Sequence, residues 1–225
     1  MILAGQTKRI QRVTGKQIDA ALRIHGRLKQ WRLSDVALNK LRDKMPGWSD
    51  EATLLKCVAI NALYGTNILA IVKMAQHVTS AFEVIQNLSA DELVARIALL
   101  DLKDGKPPRN HVSFASKLCH FFVDEERFPI YDKAACETLK CHLGDDYCLE
   151  GMPYVAFQEN LGRLKNASGI NTNGRELDRY LWIVGMYMRW KRSKSKPMVN
   201  AELLRTFRRP TSEDKSDLAI LAPNC

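Results

Sequence analysis

Apolar residues recur along this chain at spacings of three and four, and that period predicts helices almost throughout. Residues 16–31 form an amphipathic stretch, with Ile18, Ala21, Leu22 and Leu28 among strong helix formers. Ser34 has the character of an N-cap for a helix at 35–45, which the Pro46-Gly47 pair ends. Residues 51–63 and 67–78 are rich in apolar side chains and break at Tyr64-Gly65-Thr66-Asn67. Ser89-Ala90-Asp91-Glu92 has the spacing of a capping box, opening a helix to about Leu100. A polar loop follows over 101–110, and then helices at about 111–122, 132–143, 153–166 and 174–191. No alternating stretch sits between hairpin turns, and no repeat recurs. The pattern therefore predicts an all-α protein of eight to ten helices.

The 225 residues suit one helical unit over 1–209, built as two subdomains of about 50–125 and of 1–49 plus 126–209. Residues 210–225 are polar and read as a flexible tail. Apolar residues make up 46% and charged residues 26%, proportions that allow a sizeable core and exclude a disordered or fibrous chain. No apolar run reaches the roughly 18 residues of a membrane span, so no membrane partner is expected. The opening MILAGQTKRI is too short and too soon charged for a signal peptide, which points to the cytoplasm, or the nucleoid in a bacterium.

Charge narrows the partner. The formal net charge is +9, which favours a polyanion. Residues 1–45 carry eleven Lys or Arg against Asp19, Asp35 and Asp43. Residues 186–209 carry eight more against Glu202 alone, while 124–150 hold eight acids and three bases. A solvated basic surface explains such ends as well as a phosphate-binding one does. The six cysteines lack a tight pair and are expected to be reduced. Cys136, Cys141 and Cys148 follow a C-x4-C-x6-C spacing that fits no common zinc pattern, so neither metal nor cofactor is expected. No glycine loop has nucleotide-binding spacing either.

The most informative segment is 107–135, PPRNHVSFASKLCHFFVDEERFPIYDKAA. In its helix, Val112, Ala115, Cys119 and Phe122 form one buried stripe, and Ser113, Lys117 and His120 a narrow polar one. Phe128-Pro129-Ile130-Tyr131 is an extended lead-in to Asp132 at the start of the next helix. An Asp there meets backbone N–H groups and the positive end of the helix dipole, which favours the carboxylate. An Asp is also simply a favoured cap.

A proline-rich turn, a helix, a loop and then Pro-apolar-Asp at a helix start resemble the helix-hairpin-helix DNA glycosylases, most of all their 8-oxoguanine branch. That branch carries a catalytic lysine nineteen residues before its aspartate, a position held here by Ser113. Tyr64-Gly65-Thr66-Asn67-Ile68 resembles the junction that fills the gap left by a flipped base. The likeness spans roughly 50–190 and implies two helical subdomains with a cleft between them. It implies hydrolysis of an N-glycosidic bond in duplex DNA, with Asp132 as the essential carboxylate and a modified or damaged purine, such as 8-oxoguanine, as target. With serine in place of lysine, the implied enzyme is monofunctional, and Lys117 is the nearby amine able to substitute. Departures are equally plain. The family's glycine hairpin reads Pro107-Pro108-Arg109-Asn110-His111, and the iron–sulfur cysteines of the endonuclease three branch have no counterpart.

The resemblance further gives Arg109, Asn110, His111, Tyr64 and Asn67 as DNA contacts, with Arg189, Lys191, Arg192 and Lys194 at flanking phosphates. His120, Asp178 and Trp182 would line the base pocket. Two other readings stay open: a non-catalytic nucleic-acid-binding protein of this fold, and a helical protein-interaction subunit using the acidic 124–150 region.

Overall fold

The computed structural model describes residues 10–84, 88–144, 152–192 and 200–221. The fold is all-α, 72% helical, with eleven helices and one tiny two-stranded sheet among the described residues. In chain order these are α1 (Gly15–Arg27), α2 (Lys29–Lys44), α3 (Asp50–Tyr64), α4 (Ile71–Glu83) and α5 (Ala90–Ala98). Then come β1 (Leu99–Leu100), β2 (Arg109–Asn110), α6 (Val112–Phe122), α7 (Lys133–Leu143) and α8 (Tyr154–Ser168). The chain closes with α9 (Gly174–Arg192), α10 (Ala201–Arg208) and α11 (Ser212–Leu221). No helix is long and apolar enough to cross a membrane, among the described residues.

The chain divides into two compact units, Met1–Leu28 with Lys133–Cys225, and Lys29–Asp132. This division differs from the expected one, because α2 and the segment before α7 go with the second unit. The expected helix over 16–31 is cut at Leu28, whose backbone is extended (φ −80°, ψ 93°) while its side chain is buried. Ser34 caps nothing. It lies inside α2, and its hydroxyl donates to Gln30 O at 3.0 Å, the back-bond open to a serine in mid-helix.

In the first unit, α9 packs on α7 and α1, α8 on α7, α11 on α1, and α10 on α9. Ile24, Leu139, Phe157, Leu164, Ile183, Val184 and Leu203 fill its core. The expected loose tail is instead α11, which buries Asp214, Asp217, Leu218 and Leu221. Asp217 accepts from Arg23 (2.7 Å) and Arg27 (2.7 Å), and Asp214 from Arg27 (2.8 Å), so charges on α1 hold the polar helix down. Polarity alone suggested a tail; buried acids with arginine partners make it structure. His142 is bonded to Gln11 O (2.7 Å) and to the Tyr180 hydroxyl (2.9 Å).

In the second unit, α3 packs on α4 and α6, α5 on α6, and α2 on α3 and α6. Cys57, Ile60, Met74, Val78, Val94, Ile97 and Leu118 form its centre. Ser89 and Glu92 close the expected box at α5, the Ser89 N–H donating to Glu92 at 2.8 Å. Lys56 is buried, donates to Gly47 O, and sits over the rings of Trp48 (4.4 Å) and Phe122 (5.5 Å). Burial lowers its pKa and pushes the neighbouring Cys57 thiol up to about 12. Cys57 and Cys119 are free thiols, but Cys141 is disulfide-bonded, against the expectation of reduced cysteines.

Candidate active site

Helix α6 is buried on nearly every side, from Phe114 to Phe122. Its polar stripe therefore does not face bulk water, and each polar atom needs a partner inside the fold. Lys117, 4% exposed, donates from Nζ to Ser113 Oγ at 2.7 Å and to Ser113 O at 3.4 Å. The spacing of four residues places the two on one face, one turn apart. Ser113 is half-buried, and the lysine it is bonded to is buried.

Two bonds strap the extended segment before Asp132 onto this helix. The Tyr131 N–H donates to Ser116 Oγ at 3.0 Å, and Ser116 in turn donates to Ser113 O at 3.2 Å. Further back, His120 Nδ1 lies 3.0 Å from Phe128 O. Phe128 and Ile130 bury their side chains, which fixes the segment between the two straps. Asp132 follows directly, half-buried, immediately before α7. The hydroxyl–amine pair and the segment that ends in the carboxylate thus belong to one hydrogen-bonded assembly.

Ser116 escaped the sequence reading, although Ser113 and Ser116 fall three apart in SFASK and hence on neighbouring positions of one helix face. His120 has a different role from the expected one. It is 1% exposed, its ring holds the backbone of Phe128, and it meets Phe121 edge-on at 4.9 Å. Asp124, whose charge would repel phosphate, turns its carboxylate onto the N–H groups of Glu126 (2.9 Å) and Arg127 (3.0 Å).

The α3–α4 junction is rigid for a reason the sequence hid. The Asn61 side chain accepts from the Ile68 N–H (2.9 Å) and the Thr66 hydroxyl (2.9 Å), and donates to Ile68 O (3.0 Å). Gly65 (φ 58°) and Asn67 (φ 56°) take the left-handed turn. Tyr64 does not project from this turn. Its hydroxyl donates to Asp35 at 3.0 Å and its ring packs on Trp31 and Phe121. Asn67 is exposed.

Arg109 and Asn110 are exposed and pair antiparallel with Leu100 and Leu99. The His111 N–H, at the entrance to α6, donates to Ala98 O at 2.8 Å. That backbone donor is already used, so the segment does not offer phosphate the row of free N–H groups a glycine hairpin would. His111 is half-buried, and burial, with Arg109 nearby, lowers its pKa.

The remaining expected residues belong to the other unit. Trp182 is half-buried and meets His25 edge-on at 6.2 Å, and Asp178 is half-buried on the same helix, α9. Arg189 donates twice to Glu137 at 3.2 Å, and Arg192 donates to the other oxygen of the same carboxylate. One carboxylate thus holds two guanidiniums, which leaves the cluster a net positive charge, with Arg192 still largely exposed. Lys191 lies 4.7 Å over the Tyr187 ring. Lys194 and Cys148 fall outside the described residues. Among the described residues no group of three His, Cys, Asp or Glu side chains is arranged to hold a metal ion.

The class so defined is an all-α protein of two helical units, with a half-buried serine bonded to a buried lysine beside a carboxylate-bearing segment. The HI_0787_N family model, whose description reads "N-terminal domain", matches residues 17–126. That stretch includes Ser113, Ser116 and Lys117 and stops before Asp132. No curated protein and no solved structure matches the chain.

Proposed function

We propose that the protein is a DNA glycosylase-like hydrolase that breaks the N-glycosidic bond of a modified or damaged purine, of the 8-oxoguanine kind, in duplex DNA. The observation that carries this reading is the pair of straps, Ser116 to Tyr131 and His120 to Phe128, tying the segment before Asp132 to the helix of Ser113 and Lys117. Cleavage of the bond builds positive charge on the sugar. A carboxylate fixed at that point stabilises the cation and orients the attacking water. Asp132 takes this role. Ser113, its hydroxyl held by Lys117, supplies a polar contact. The Lys117 amine is buried and bonded to that serine, which favours hydrolysis without a Schiff base.

The test is incubation with duplexes that each carry one modified purine. Wild type releases one of the bases, and Asp132→Asn slows release by about 100-fold or more. Borohydride traps no protein–DNA adduct. Release from none of the duplexes, or equal release by Asp132→Asn, overturns the proposal. The second reading, a non-catalytic nucleic-acid binder, is favoured by Ser113 standing where the resemblance expects the catalytic lysine. It predicts binding without release.

A further inference from the structure

We infer that the exposed face of α10 is a phosphate-contacting surface for a nucleic-acid strand, formed by Arg205, Arg208 and Arg209. The resemblance placed the C-terminal phosphate contacts on Arg189, Lys191, Arg192 and Lys194; of these, Arg189 and Arg192 share the Glu137 carboxylate and Lys191 lies over the Tyr187 ring. Further positive charge sits beyond them in the chain. Arg205, Arg208 and Arg209 are all exposed and pair with no carboxylate among the described residues. Arg205 and Arg208, three residues apart, stand about 60° apart on a helix with 3.6 residues per turn, and Arg209 follows as the C-cap. Along the axis they cover about 6 Å, at 1.5 Å per residue. Successive charges on one DNA strand are about 3.4 Å apart along the axis, so three guanidiniums meet two or three phosphates.

The opposite face of α10 fixes that presentation. Leu203 and Phe207 are buried, and Phe207 packs on Tyr187 (5.2 Å) and Trp190 (5.7 Å) of α9. Asn200 caps the helix through the Leu203 N–H at 2.8 Å, and Glu202, its one acid, stands in the first turn. The cations stand at the C-terminal end, the negative end of the helix dipole, so the helix tolerates them together. This packing also discriminates between partners. A helix that lies on a membrane needs its apolar face free for the lipid, and here that face is buried in the protein. Apart from the small Ala201, the apolar residues of α10 are buried or half-buried and leave little to seat a peptide side chain. Recognition by charge alone, at repeated spacing, is what a phosphodiester backbone requires.

The inference shares the nucleic-acid partner with the proposed function and none of its chemistry, so the two fail separately. The test is fluorescence anisotropy with an undamaged duplex over a series of salt concentrations. The proteins are wild type, Asp132→Asn, the single variant Arg208→Gln, and triple variants with all three arginines changed to Gln or to Lys. Each lost phosphate contact lowers the slope of log K against log salt by about 0.9. Triple Gln should therefore lose about 2 to 3 from that slope, Arg208→Gln about 1, and triple Lys and Asp132→Asn almost nothing. A wild-type slope in both Gln variants, or no duplex binding by wild type, overturns the inference. So does wild-type binding to phosphatidylserine vesicles that exceeds binding to duplex. Loss of excision in Asp132→Asn bears on the proposed chemistry alone.

Discussion

Gly185→Ala is a one-methyl change whose consequence can be worked out from the structure. Gly185 is buried on α9 where it crosses α7. A Cβ built there would lie 2.2 Å from Ala134 O, 2.6 Å from Ala134 C and 2.8 Å from Ala134 Cα. Ordinary contact begins near 3.4 Å, so the helices must part by more than 1 Å, and the atoms in the way are backbone. Overpacking of this kind costs about 1 to 3 kcal/mol. Separation also stretches the bond from Thr138 Oγ1 to Leu181 O, now 2.7 Å, which contributes about 1 kcal/mol. Against this, alanine is the better helix former by about 1 kcal/mol. The net expectation is a loss of about 1 to 3 kcal/mol, which lowers Tm by roughly 2 to 12 °C for a chain of this size. Ala134 is the second residue of α7 and stands two beyond Asp132. Excision should therefore fall together with stability. Thermal unfolding followed by circular dichroism measures the first effect, and an unchanged or raised Tm refutes the reasoning.

Asn61→Ala removes the side chain that binds Thr66 and both backbone groups of Ile68, and should cost about 2 to 4 kcal/mol. Hydrogen exchange at the Ile68 amide should speed up, and unchanged protection would argue against the staple. His142 should make the protein acid-sensitive. Burial disfavours its charged ring, outweighing the opposing pull of Gln11 O, so its folded pKa lies below 6.5. Below about pH 6.5 the unfolded chain binds the extra proton, so stability should drop as pH falls from there to the folded pKa, by at most about 1.4 kcal/mol per pH unit. His142→Gln should flatten that part of a Tm–pH curve; an unaltered slope assigns it elsewhere. For Asp217 burial works against the charge, but hydrogen bonds from Arg23 and Arg27 prevail and hold the carboxyl below its usual range. Asp217→Asn should loosen α11 by about 1 to 2 kcal/mol, allowing for the half-exposed Arg23, and open it to limited proteolysis.

Local signals in the sequence translated into structure where they acted locally. The Ser89–Glu92 box spans one turn and forms as its spacing implies. Of the apolar stripe of α6, Ala115, Cys119 and Phe122 are buried and Val112 is half-buried, although nearly every other side of the helix is buried too. What failed depended on distant partners. Ser34 resembles a cap, but nothing in the local sequence says that the helix already runs through it. The polar residues after Pro210 resemble a tail until Arg23 and Arg27, nearly two hundred residues earlier, supply the charges that dock α11. At the site, the four-residue spacing of Ser113 and Lys117 was readable, and their 2.7 Å bond follows from it. Ser116 was not, because its partner Tyr131 lies fifteen residues on. The pairing of Arg189 and Arg192 with Glu137 was hidden for the same reason, since Glu137 meets them only through α7 packing on α9.

The most direct measurement of the central claim is single-turnover release of a modified purine from duplex DNA, with binding of that duplex measured in parallel, for wild type and Asp132→Asn. The account predicts that the variant binds as wild type does, because the duplex is held by contacts elsewhere, and that its release rate falls by about 100-fold or more. Equal release rates, or wild-type binding with no release of any modified purine, would contradict it.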